Sequence, residues 1–97
     1  TGGVTGVMKT ATLAESFAVN CEIHTAIFWP LELINLHCSL AISNSDYFEL
    51  LLPHEKFEFG LTAPLPIENG IASAPEGPGL GIDLDWDLIE NCTTKIL

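Results

Sequence analysis

The chain contains no arginine and only three lysines against thirteen Asp and Glu residues, for a formal net charge of -10 over 97 residues. Binding to nucleic acid draws its affinity from cations that displace phosphate counterions, and anionic membrane surfaces attract the same cations, so this charge balance argues against both kinds of partner. No apolar run approaches the ~20 residues that span a bilayer. Cysteine is also scarce: Cys21, Cys38 and Cys92 are odd in number and irregularly spaced, which fits neither a disulfide framework nor a zinc ribbon. Reduced, buried thiols in a cytoplasmic protein are the expectation. Length is the last shortage, because 97 residues fall far below the ~250 of a complete α/β barrel enzyme.

What is present supports a packed core. Hydrophobic residues make up 47% of the chain and the mean hydropathy is +0.35, whereas disordered chains combine low hydrophobicity with high charge. Thr1 opens the chain without a methionine and runs through Gly2 and Gly3 into a helical pattern, so a truncated N-terminus is expected. Val7, Met8, Ala11, Ala14, Phe17 and Ala18 recur at helical spacing and predict a helix over Thr5–Phe17 with Thr5 as its N-cap. Val19–Thr25 alternates Cys21 and Ile23 with Glu22 and His24, which predicts a strand. After a loop holding Phe28 and Trp29, Pro30 opens a second predicted helix to Ile42, with Leu31, Ile34, Cys38 and Ala41 on one face. Leu33, Leu36 and Leu40 make that helix apolar over much of its girth, so packing on two sides is expected. A turn over Ser43–Asp46 leads into a third apolar stretch, Tyr47–Leu52, read as a strand.

Helix, strand, helix, strand joined by short loops is the pattern of parallel βα units and gives an α/β class. Beyond residue 52 the texture changes, with five of the six prolines lying between Pro53 and Pro78. The chain therefore divides into residues 1–52, the βα units, and residues 53–97, a loop-rich segment with a short hairpin or strand within Ile67–Ala74 and a terminal helix over Asp83–Asn91 carrying Trp86, Leu88 and Ile89.

His24 and Glu49 are the candidate catalytic residues. His24 ends a predicted strand, where barrel enzymes present their chemistry, and imidazole suits proton transfer at neutral pH. The competing reading is a histidine satisfied by a backbone carbonyl. Glu49, between Phe48 and Leu50, is either paired, facing solvent, or protonated and able to donate to an oxyanion. Glu22 shares a strand face with His24 and reads best as a structural carboxylate paired with a lysine. His37 and Cys38 add metal-ligand types without a metal spacing. Asp83, Asp85 and Asp87 lack the glycine and terminal glutamate of a calcium loop, and Gly79-Leu80-Gly81 reads as a turn.

The run GGVTGVMKTATLAESFAVNCEIHT, Gly2 to Thr25, resembles the end of the barrel in the mandelate racemase and muconate lactonizing branch of the enolase superfamily, most closely its acid-sugar dehydratases. The likeness continues through Asn44-Ser45-Asp46-Tyr47-Phe48-Glu49 to the tail from Gly77 to Trp86. The resemblance implies the C-terminal part of a modified (β/α)7β TIM-like barrel, made of its last βα units, plus a loop-rich segment that returns to the capping domain. His24 then matches the family's proton-moving histidine at the end of the seventh strand. Glu49 matches the glutamate that stabilises the enediolate at the end of the eighth. The implied substrate is a small carboxylate, an acid sugar for a dehydratase, with racemases, epimerases and cycloisomerases as alternative outcomes of the same fold. The implied cofactor is Mg2+, with ligands on strands that this chain does not contain, and the implied intact enzyme is a homo-oligomer. The 97 residues alone are expected to be inactive and poorly folded. From another class, an acidic non-catalytic interaction module remains the alternative.

Overall fold

The computed structural model describes residues 2–25 and 29–96. Helix α1 spans Gly3–Ser16 and starts earlier than the predicted Thr5. Gly2 takes φ 83° and serves as the N-cap without a side-chain bond, so Thr5 lies inside the helix and caps nothing. The Gly-Gly entry reads as a non-helical linker in sequence, yet glycine reaches this left-handed angle without the Cβ clash that forbids it elsewhere. At the other end, Ala18 N–H bonds to the Glu15 carbonyl at 2.9 Å and Val19 N–H to the Ala14 carbonyl at 3.0 Å. These bonds form a Schellman closure. It puts Ala18 at φ 54°, a region costing an L-residue about 1–2 kcal/mol. Ala18→Gly is expected to stabilise this closure by ~0.5–1 kcal/mol. Amide exchange at Val19 is then slower by about two- to five-fold; faster exchange would show that the strain is absent.

Helix α2 spans Trp29–Ala41, beginning at the tryptophan assigned to the preceding loop, while Phe28 lies outside the described residues. Its buried stripe is not the predicted one. Trp29, Leu33 and Leu36 are at most 4% exposed, whereas Leu31 is 48% exposed; the helix is apolar on several faces, so periodicity alone did not single out the innermost. Trp29, Leu33 and Leu65 form the core, against which Phe48, Leu50, Phe57, Leu61, Ile67 and Ile82 pack. The loop-rich half is thus a cover laid over one side of α2.

Two predicted strands lack a ladder. Residues 20–25 and 47–50 alternate exposed and half-buried positions as a strand would, but the predicted strands 19–25 and 47–52 carry no strand pairing among the described residues. One backbone bond links the first to the turn before the second, Cys21 N–H to the Asn44 carbonyl at 2.7 Å. Side chains meet further backbone groups: Asn44 Nδ2 donates to the Val19 carbonyl at 2.9 Å, and Glu22 accepts from the amides of Asp46 and Tyr47.

In the second half, a 3-10 turn over His54–Lys56 precedes the predicted hairpin. This hairpin pairs β1, Ile67–Glu68, with β2, Ile71–Ala72, in antiparallel register. Asn69 and Gly70 both take positive φ, the geometry of a two-residue hairpin loop. The terminal helix α3 is Trp86–Cys92 rather than starting at Asp83. Residues 83–85 are held back against 60–62 by Thr62 N–H to the Asp83 carbonyl at 2.9 Å and Asp85 N–H to the Gly60 carbonyl at 3.0 Å. Asp85 then caps α3 by accepting from Leu88 N–H at 3.0 Å. Gly79-Leu80-Gly81 is a turn, with Gly81 N–H bonded to the Pro78 carbonyl at 3.0 Å.

Candidate active site

His24 lies near the end of its unladdered segment and Glu49 within the other, and the structure brings them into contact. His24 Nδ1 lies 2.7 Å from Glu49 Oε2, with the side chains 81% and 43% exposed. The carboxylate can only accept here, so Nδ1 carries the proton and donates it. That assigns the tautomer and leaves Nε2, with its lone pair, as the open ring nitrogen. Glu49 is therefore paired with His24, one of the three states open to it from sequence. His24 also lines a groove of about 460 Å³ between α1 and α2. The other lining residues include Val4, Val7, Leu31 and Ile34, with Thr25 and Asn35 as the polar members, a mostly apolar wall. The exposed side of the pair is where a polar substrate has access.

Glu22 fixes the approach of the two segments. Its carboxylate accepts from Asp46 N–H at 3.0 Å, Tyr47 N–H at 3.1 Å and Ser45 Oγ at 2.9 Å. The lysine partner expected from sequence is replaced by a turn's own amides, which do what a cation would do at lower desolvation cost. Asn20 Nδ2 adds a bond to Asp46 Oδ2 at 2.9 Å. The Asp46 amide first, then the Tyr47 amide and the Ser45 hydroxyl, hold the Glu22 carboxyl below its ordinary 4.5. A folded-state value below the unfolded one means stabilisation that is present above pH 4.5 and lost as pH falls through the lowered value. The amide proton signals of Asp46 and Tyr47 are expected to shift together in that window, and Glu22→Gln to abolish the pH dependence. Shifts that persist in the glutamine variant would assign the transition to another group.

The remaining candidates separate from the pair. His37 Nε2 donates to the Leu80 carbonyl at 2.8 Å, tying the 79–81 turn to α2. Cys38 is buried, and burial pushes its thiol pKa up, which makes it a poor nucleophile. Asp83, Asp85 and Asp87 are parted by backbone bonding and capping. Among the described residues no group of three or more His, Cys, Asp or Glu converges as a metal site requires. Magnesium takes near-octahedral oxygen ligands, and His24 with Glu49 supplies one imidazole and one carboxylate already engaged with each other. The residues present do not fit the ion. Sequence reading missed Glu32, a buried glutamate at 2% exposure, because a carboxylate in a helix ordinarily marks its wet face.

Residues 1–88 match the family model described as enolase C-terminal domain-like. Muconate cycloisomerase 1-2 of Acinetobacter lwoffii is 32% identical over 97 residues, taking in 92% of this chain and 24% of its own length. D-gluconate dehydratase of Thermoproteus tenax is 29% identical over 92 residues, taking in 92% of this chain and 18% of its own length. A solved structure from Pseudovibrio sp., assigned to the mandelate racemase and muconate lactonizing enzymes, superposes with a TM-score of 0.89 at 32% identity. It covers 97% of this chain and 25% of that one. The chain thus spans about a quarter or less of the length of these relatives. A match over residues 1–88 together with that superposition establishes that the chain belongs to the enolase C-terminal domain-like family.

Proposed function

We propose that the chain is the C-terminal part of a barrel enzyme that removes the proton α to a carboxylate, acting as an acid-sugar dehydratase. The observation that carries this reading is the 2.7 Å contact between His24 Nδ1 and Glu49 Oε2, which leaves Nε2 as a base facing solvent. His24 Nε2 takes the proton from C2 of the acid, and the C–H electron pair enters an enediolate. The imidazolium so formed is stabilised by Glu49 across the Nδ1 bond, much as a carboxylate stabilises imidazolium in hydrolytic triads. Glu49 does not take the Nδ1 proton; by holding the imidazolium beside the substrate it keeps a positive charge next to the enediolate as negative charge develops there. Collapse of the enediolate expels the C3 hydroxyl, which leaves as water with the proton held on His24 Nε2, and the enol so formed takes a proton from solvent at C3 to become a 2-keto-3-deoxy acid.

A second reading, an isomerase, is favoured by the 32% identity to a cycloisomerase. It shares proton abstraction and differs in that a proton returns to carbon and no water is lost. The deciding experiment uses the polypeptide that carries this segment with the remaining barrel strands, given magnesium and a panel of acid sugars in deuterium oxide. A product lighter by one water with one deuterium at C3 supports dehydration. A substrate-mass product with one added deuterium at C2 replaces that reading with racemisation or epimerisation.

A further inference from the structure

We infer that Glu32 is a positioning residue for His24, acting through Thr25; the inference rests on the proton-transfer reading above. Glu32 stands in the first turn of α2 and is 2% exposed. Its Oε1 accepts from Thr25 Oγ1, the residue that directly follows His24. Its Oε2 is buried and has no donor among the described residues. A buried carboxylate with one oxygen unsatisfied costs stability, and an apolar side chain of similar volume commonly does better in such a place. Among the described residues, what the carboxylate contributes is a bond to the arm that holds the imidazole.

That arm needs holding. No ladder fixes residues 22–25; besides the imidazole's own contact with Glu49, their described tethers include the Glu22 bonds to the turn at 45–47 before His24 and the Thr25 bond to Glu32 after it. His24 hangs between two carboxylate anchors, one gripping the segment that bears Glu49 and the other gripping α2. Loss of either anchor frees one end of the arm, and displacement of a catalytic group by ~1 Å can cost about a hundred-fold in rate.

The test uses Glu32→Leu, Glu32→Gln and Thr25→Val in the polypeptide carrying the rest of the barrel. Glu32→Leu is expected to keep or raise the thermal midpoint while lowering kcat by about a hundred-fold, with KM changed by no more than about two-fold. Glu32→Gln, whose amide oxygen still accepts from Thr25, returns kcat to within about five-fold of the parent. Thr25→Val reproduces the leucine variant, and the double variant is no slower than either single one. The His24 Cε1–H NMR signal moves in Glu32→Leu and returns in Glu32→Gln. A fall in thermal midpoint with kcat and the imidazole signal unchanged assigns Glu32 a purely structural role and overturns the inference. If the parent protein shows no α-proton chemistry, the functional reading fails, and the imidazole signal alone then decides whether Glu32 positions His24.

Discussion

Replacing His24 with asparagine is expected to lower α-proton exchange by about a thousand-fold in the polypeptide carrying this segment, with the fold unchanged. Asparagine keeps a hydrogen-bond donor near Glu49, so the carboxylate retains a partner, but it offers no lone pair of suitable basicity at the Nε2 position. The loss therefore reports proton transfer and not a collapsed site. Glu49→Gln is expected to lose less, roughly a hundred-fold, because the amide oxygen still accepts from Nδ1 while the charge that stabilises imidazolium is gone. The two substitutions combined are expected to be far from additive, since they remove two ends of one hydrogen bond at 2.7 Å. Both rates are read from deuterium incorporation by mass spectrometry. If His24→Asn exchanges as fast as the parent, the base lies elsewhere.

The second large effect concerns the 97 residues on their own, which are expected to show no cooperative thermal transition and to bind a hydrophobic dye. Leu33 and Leu36 are the large side chains that are fully buried, while Phe17, Tyr47, Leu52, Ile71 and Trp86 are between 61% and 76% exposed. Small domains already sit near the limit of stability, and exposed apolar surface on this scale marks faces that require covering. The two segments bearing His24 and Glu49 share one backbone hydrogen bond, far short of a paired strand's ladder. A sharp transition by near-ultraviolet circular dichroism, coincident with loss of helix signal, would contradict this expectation.

Much of this arrangement is legible in the residues. The period of two from Cys21 to Thr25 places Glu22 and His24 together on one side, and the same alternation places Glu49 on the exposed side of its segment; the structure then joins the two. The hairpin follows from Asn69-Gly70, whose residues accept positive φ. Other features depend on partners that periodicity does not reveal. The predicted strands 19–25 and 47–52 are tied instead by Glu22, which accepts from the amides of Asp46 and Tyr47, a contact across more than twenty positions. The innermost face of α2 was obscured by leucines on every side. Glu32 reads as a solvated charge until Thr25 is seen against it. The start of α3 moved to Trp86 because tertiary bonds to residues 60–62 hold its first predicted turn open.

The central claim is that His24 Nε2 removes a proton α to a carboxylate. The most direct measurement is the exchange of the C2 hydrogen of acid sugars with deuterium oxide, catalysed by the polypeptide that contains this segment within its whole barrel. The account expects deuterium to enter product or recovered substrate with the parent protein, and to enter about a thousand-fold more slowly with His24→Asn. Turnover of an acid sugar with its C2 hydrogen retained, or exchange that is indifferent to the asparagine substitution, would contradict it.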